Sequence, residues 1–320
     1  MSDLNKTVAV IGAGSIGERC IRNLWQLGYR SILVFRHRHL PFRDIGGATV
    51  EVITNWDELL QRRPYAAFIC TPTSLHLSQA VELIRHGVHT LVEKPLSHSS
   101  QGFDDLQKVV TEGRALLWVG YMMRQHPILK ITKQIIQDKE YGNLISMQSR
   151  WAEYLPDWHP WEDYRQSYAA QKGLGGGVAL TLSHDIDMVN WLSGSSVVTS
   201  HIIKNFRSSL EVDVESGAEI ILQYENGITA GLHLNFYEKN KERFLKLVLD
   251  DASLSIDFFE PSLTIKTPSK TETQKFPNFD RNQLFIDQLG AFMNQTTAFQ
   301  ATDSLRHLAE SQKIISICHG

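Results

Sequence analysis

At 320 residues the chain is long enough for two domains with separate cores, and 42% hydrophobic with 21% charged residues is an ordinary globular composition. A net charge of -3 and a pI near 6.5 exclude the strongly basic balance that nucleic-acid binding draws on, and no run approaches membrane-spanning length. Met1 to Lys6 lead into a strand without an apolar secretory core, so a cytoplasmic protein is expected. Cys20, Cys70 and Cys318 lie far apart among apolar neighbours and read as buried free thiols, so no metal site is expected.

Val8-Ala9-Val10-Ile11 is a continuous apolar run, the pattern of a strand buried on both faces. Gly12-Ala13-Gly14-Ser15-Ile16-Gly17 follows at once and opens a helix with apolar residues at Ile16, Cys20, Ile21, Leu24 and Leu27. In this context Gly12 makes the tight turn, Gly14 lets the backbone approach a pyrophosphate and Gly17 lets helix and strand pack closely. The helix N–H groups are then placed to hold phosphate. Further strands are expected at Ser31–Phe35, Val50–Thr54, Ala66–Cys70, Thr90–Val92 and Leu116–Val119. Helices are expected near Asp57–Arg62, Ser74–His86 and Ser100–Thr111. Their alternation implies a parallel, doubly wound sheet.

Cofactor choice is decided after the second strand, where an NAD site usually places an acid for the ribose 2′-OH. Here Phe35 is followed by Arg36, His37 and Arg38, a set whose guanidinium groups match a 2′-phosphate. The expectation is NADP(H), with NAD(H) as the other cofactor. The fifth strand runs out at Val92 into Glu93-Lys94-Pro95, which puts a lysine at the carboxyl end of a buried strand, where open α/β sheets bind ligands.

Thr71-Pro72-Thr73-Ser74-Leu75-His76, Glu93-Lys94-Pro95, Gly120-Tyr121-Met122-Met123-Arg124-Gln125-His126-Pro127 and Gly175-Gly176-Gly177-Val178-Ala179-Leu180-Thr181-Leu182-Ser183-His184-Asp185-Ile186-Asp187 occur in that order after the glycine loop. With these motifs the chain resembles the Gfo/Idh/MocA family of dinucleotide-dependent oxidoreductases over nearly its whole length. The resemblance implies a Rossmann domain at 1–122 and, at 123–320, an α/β domain with an open, mostly antiparallel sheet that binds substrate and makes oligomers. It also implies that Lys94 is the active-site lysine, that the bond into Pro95 is cis and that His184 is the catalytic histidine. Thr71, His76 and Glu93 match positions along the nicotinamide side, and Pro72 and Lys94 are expected among the cofactor contacts. One departure stands out: the family's aspartate before this histidine is missing. The segment is about one residue shorter, with Thr181 or Leu180 in that place. Asp185 and Asp187 follow His184 and read as exterior or capping residues.

In the second half, Asn143–Tyr154 reads as a strand, followed by Leu155-Pro156-Asp157-Trp158-His159-Pro160-Trp161-Glu162-Asp163-Tyr164-Arg165, a stiff aromatic loop. Trp158 and Trp161 offer faces for a sugar ring, while Tyr164 and Arg165, with Arg124 and Thr181, are candidate substrate contacts. The alternative is that the aromatics only pack the loop against the sheet or make an oligomer contact. A single helix over Val178–Leu192 is expected to carry His184. Strands follow at Val197–Phe206, Ala218–Tyr224, Ile228–Phe236 and Phe244–Leu249, with Glu225-Asn226-Gly227 as a hairpin turn. In Ile228–Phe236 the even-numbered residues form a core face and the others a semi-polar one, which in the resembling family packs on another subunit, so a homodimer or homotetramer is expected. Asp257–Asp280 reads as a strand-and-loop excursion, and helices over Arg281–Asn294 and Ser304–Cys318 close the chain.

The function implied is hydride transfer between NADP(H) and a hydroxyl or carbonyl carbon of a sugar, a sugar derivative or a nucleotide sugar. His184 would act as general acid–base, and Lys94 as the cation favouring an alkoxide. The missing aspartate leaves open a reductase of a non-sugar compound of the biliverdin kind or an NAD-dependent glycosidase. A non-catalytic NADP(H) sensor is the third alternative.

Overall fold

The computed structural model describes residues 4–37 and 41–320. The chain divides into two units, the first made of the chain up to Met122 together with Arg281–Ile315, the second of Met123–Asp280 with Ser316–Gly320.

The first unit is built on a six-stranded parallel sheet of β1 (Val8–Ile11), β2 (Ile32–Phe35), β3 (Glu51–Ile53), β4 (Ala66–Ile69), β5 (His89–Glu93) and β6 (Leu117–Gly120). Its order is β3-β2-β1-β4-β5-β6. All four residues of β1, β2 and β4 are buried, as runs covered on both faces must be. Helices α1 (Ser15–Gln26), α2 (Trp56–Gln61), α3 (Thr73–Arg85) and α4 (Phe103–Thr111) connect the strands. Strand order reverses between β1 and β4, the switch point where such sheets open a crevice at their carboxyl ends.

The sequence reading puts everything after residue 122 in the second domain, and here the structure differs. The closing helices α8 (Arg281–Gln295) and α9 (Ala301–His319) return, α9 as far as Ile315, to the first sheet. Phe292 packs edge-on against Phe68 of β4 with centroids 5.5 Å apart, and Ser304 accepts the Leu117 N–H at 2.9 Å. The reason is coverage: Leu289, Phe292 and Met293 complete the core formed by Val8, Val10, Phe68 and Leu91.

The second unit starts with α5 (Pro127–Asp138) and holds an eight-stranded sheet. Its strands are β7 (Leu144–Tyr154), β8 (Val197–Asn205), β9 (Gly217–Tyr224), β10 (Thr229–Asn235), β11 (Tyr237–Leu249), β12 (Ser253–Asp257), β13 (Ser262–Lys266) and β14 (Thr271–Lys275). They lie in the order β14-β13-β12-β11-β7-β10-β9-β8, antiparallel except for the parallel β7–β10 pair. Ile228, Ala230, Leu232, Leu234 and Phe236 are all buried, as their alternation requires. The single helix expected over Val178–Leu192 is broken into α6 (Val178–Thr181) and α7 (His184–Ser193), with Leu182 and Ser183 between them.

Candidate functional site

The glycine turn is made as its spacing implies. Gly12 adopts φ +90°, and a Cβ on Gly17 would lie 2.1 Å from the Gly12 carbonyl oxygen, so only glycine permits this approach of turn to helix. A Cβ on Gly14 would meet nothing within 4 Å, which leaves room above the turn. No side chain caps α1, whose first residues are Ser15 and Ile16. The acid in its first turn, Glu18, takes the Arg43 N–H at 3.0 Å and pairs with its guanidinium at 3.4 Å. A phosphate therefore meets backbone N–H groups and an acid already neutralised, so these residues fit a dinucleotide's pyrophosphate.

Beyond β2, Arg36 is half-buried with its guanidinium 4.6 Å from the Phe42 ring centre, and exposed His37 lies edge-on to Phe35. Arg38 lies outside the described residues.

At the end of β5, half-buried Glu93 and Lys94 precede a cis Lys94–Pro95 peptide, as the resemblance implies. Burial pushes the Glu93 carboxyl up to about 7, against the opposing pull of Lys94 (its charge and its backbone N–H) and of Arg19. His76 is 1% exposed, and its ring nitrogens lie 2.8 Å from the carbonyl oxygens of Pro95 and Thr71. A neutral ring donates to one of these, and burial lowers its pKa, so His76 ties the turn after β4 to the loop after Lys94. The Thr71 hydroxyl donates to Gln79 at 2.7 Å, and Pro72 is exposed just before α3.

In the second unit His184 opens α7, 4% exposed, with its ring stacked on Trp151 at 6.5 Å and 24°. Asp185 and Asp187 correct the sequence reading of exterior or capping residues, because both are fully buried. Asp185 accepts from Ser149 at 2.7 Å and from Arg243 at 2.6 Å, and the Arg243 guanidinium lies 3.6 Å from the Trp151 ring centre. Asp187 receives two hydrogen bonds from Arg124, at 3.1 and 2.5 Å. Buried carboxylates persist only when paired, so these two acids hold α7 in place and neither stands in for the missing aspartate. Thr181, 2% exposed, ends α6.

Three candidate substrate anchors have partners within the fold. Arg124 is committed to Asp187. Arg165 binds Asp163 at 2.8 Å and Glu211 at 3.2 Å, and the Tyr164 hydroxyl accepts the Glu211 N–H at 3.0 Å. Acids claimed the two arginines, and the Arg165 and Tyr164 contacts with Glu211 pin the loop to the segment before β9. Trp158 packs edge-on to Phe236 at 5.4 Å, while Trp161 is 72% exposed and presents an open face.

Sequence reasoning missed Ser149, Trp151, Arg243 and Glu215. Glu215 accepts the Ala179 N–H at 3.3 Å, and a Cβ on Gly177 would lie 2.6 Å from its carboxylate. The glycine run thus seats α6 on an acid. For Arg243 a signal existed, since it is in phase with inward-facing Leu245, Leu247 and Leu249.

Comparison with known proteins agrees with this arrangement. A family model described as "Oxidoreductase family, NAD-binding Rossmann fold" matches residues 6–121, and the GFO/IDH/MocA C-terminal domain matches residues 130–255. The chain belongs to the GFO/IDH/MocA oxidoreductase family. It is 28% identical over 236 residues to the uncharacterized oxidoreductase YrbE of Bacillus subtilis, a match covering 69% of this chain and 64% of that protein. It is 25% identical over 201 residues to UDP-N-acetylglucosamine 3-dehydrogenase of Acidithiobacillus ferrooxidans, covering 62% and 58%. The matched stretches thus span less than two thirds of these relatives. Among solved structures, levoglucosan dehydrogenase in complex with NADH superposes with a TM-score of 0.81 at 15% identity, covering 98% of this chain and 97% of that one. An oxidoreductase domain protein from Kribbella flavida gives 0.83 at 15% identity, covering 100% and 96%. At such identity these two speak for the fold.

Proposed function

We propose that the protein is an NADP(H)-preferring dehydrogenase or reductase that moves a hydride between the nicotinamide and a hydroxyl or carbonyl carbon of a sugar or sugar-derived substrate. The observation that carries this reading is the end of β5, where Glu93 and Lys94 stand at the carboxyl edge of a sheet whose glycine turn fits a dinucleotide. When bound, the cofactor supplies or accepts the hydride. Gly12, Gly14, Ser15, Ile16 and Gly17 hold its pyrophosphate, and His76 fixes the loops on either side of Lys94. The Lys94 ammonium favours the developing alkoxide, and the His184 imidazole moves the hydroxyl proton. Trp161 offers a face for a sugar ring.

The preference for NADP(H) rests on Arg36 standing where an NAD site carries an acid, its guanidinium steadied on Phe42. Steady-state kinetics with both cofactors test it: kcat/KM is expected to be at least about tenfold higher with NADPH, and Arg36→Ala is expected to erase most of that ratio. Equal or better efficiency with NADH would reverse the assignment.

No helix among the described residues is long and apolar enough to cross a membrane. A cytoplasmic homodimer or homotetramer is the assembly we favour, because the face of the second sheet opposite its core exposes Ile203 (71%), Ile221 (62%) and Val248 (45%). Light scattering on the purified protein reads the subunit number.

A further inference from the structure

Beneath the glycine turn, the first unit contains a small cavity of about 10 Å³ walled in part by Cys20 and Asn23 of α1, Cys70, Glu93 and Gln288 of α8. Gln288 is 3% exposed, and its Oε1 is buried with no hydrogen-bond donor among the described residues. The same amide lies near the ends of β5 and β6. Its Nε2 and the Val92 carbonyl oxygen each lie 3.2 Å from where a Cβ on Gly120 would stand, with the Glu93 Cα at 3.6 Å. A buried acceptor without a donor is costly, and native interiors seldom leave one unmet. The carboxylic acid in the same cavity wall, Glu93, changes from acceptor to donor when it is protonated.

We propose that Gln288 is a positioning residue whose Oε1 accepts a hydrogen bond from the protonated carboxyl of Glu93, so that the neighbouring Lys94 ammonium is not damped by an adjacent carboxylate. The shift of that carboxyl to about 7 means the acid form is populated at neutral pH, with burial as its main cause. The charged and titratable groups around it are Lys94 just after its own strand, Arg19 and Cys20 on α1, and Cys70 just after β4. From α8 and β6 the neighbours are Phe285, Gln288, Leu289 and Gly120, none of which titrates. The sulfur pair sharpens the effect. The half-buried Cys70 thiol, hydrogen-bonded to Cys20, is itself held well above the ordinary thiol range and adds no charge at neutral pH.

The consequence for Lys94 rests on the dehydrogenase reading, whereas the hydrogen bond is a property of the folded protein alone. Infrared difference spectra of the full chain without cofactor or substrate, recorded as pH is raised, therefore test it first. A carboxylic-acid C=O band is expected to fade with a midpoint near 7, to be lost in Glu93→Gln and to move to higher frequency in Gln288→Met. Should Gln288→Met not fold, Gly120→Ala crowds the same amide and is expected to shift the same band. The proposal is overturned if Glu93→Gln removes no band, or if the band stays put in a folded variant at 288 or 120. In turnover, Gln288→Met is expected to displace the limb of the kcat profile governed by Glu93 and leave the KM for cofactor unchanged. A uniform loss at every pH would mark a purely structural role.

Discussion

The turn after β1 and the segment carrying His184 are both glycine-rich and both open helices, yet they are held by different means. The turn is a backbone device: Gly12 and Gly17 touch through main-chain atoms, and α1 starts without a capping side chain. The His184 segment is a side-chain device, fixed by Asp185 on Arg243 and Ser149, Asp187 on Arg124 and Glu215 on α6. A backbone device tolerates change nearby as long as its glycines stay. A buried ionic device fails when one partner goes, because the remaining charge is stranded away from water.

The largest effect should therefore fall on the second unit. Arg243→Leu strands the buried Asp185 carboxylate and is expected to cost about 3–5 kcal/mol in denaturant unfolding, with Asp185→Asn in the same chain returning part of it. A loss below about 1 kcal/mol would show that Asp185 has other support. Lys94→Ala tests the first unit, where little should unfold. Turnover is expected to drop about 10²-fold or more while the protein still binds cofactor by fluorescence titration. Near-normal turnover would remove Lys94 from the chemistry.

Acid should weaken both units by the same physics. Burial is the main cause holding His89 of the first unit and His126 of the second down to about 4, with Lys6 and Arg243 adding to it. Each ring is depressed below its unfolded value, so its contribution is complete above about 6.5 and is lost as pH falls from there through about 4. Each should cost up to about 3 kcal/mol across that window, and His89→Gln should flatten the fall of Tm with pH. An unchanged slope would mean that His89 is not protonated on unfolding. The smallest effect is expected at the aromatic loop. Arg165→Ala breaks exposed ion pairs with Asp163 and Glu211 and should leave Tm within error. A rise in substrate KM of about tenfold would restore Arg165 as a substrate anchor.

The first unit was legible wherever local sequence suffices. An apolar run, three glycines and a helix period specify β1, the turn and α1, and Glu93-Lys94-Pro95 marks the end of β5. The hairpin turn at Gly227 and the alternation of β10 were equally plain, since both repeat over a few residues. The break between α6 and α7 was not, because nothing in Leu182-Ser183 resembles a helix breaker.

Family motifs singled out Lys94 and His184 as the residues to examine, whereas the sequence by itself determined the parallel sheet and the dinucleotide turn. Their signals lie within a strand, a turn or a helix, where backbone geometry and hydrophobic period act over short separations. Only the tertiary structure decided that α8 and most of α9 belong to the first unit, that Arg124 and Arg165 are already paired, and that Gln288 faces the cavity beside Glu93. Those outcomes depend on which charges and faces become neighbours across tens to hundreds of residues, and burial settles them by penalising every charge or polar atom left without a partner.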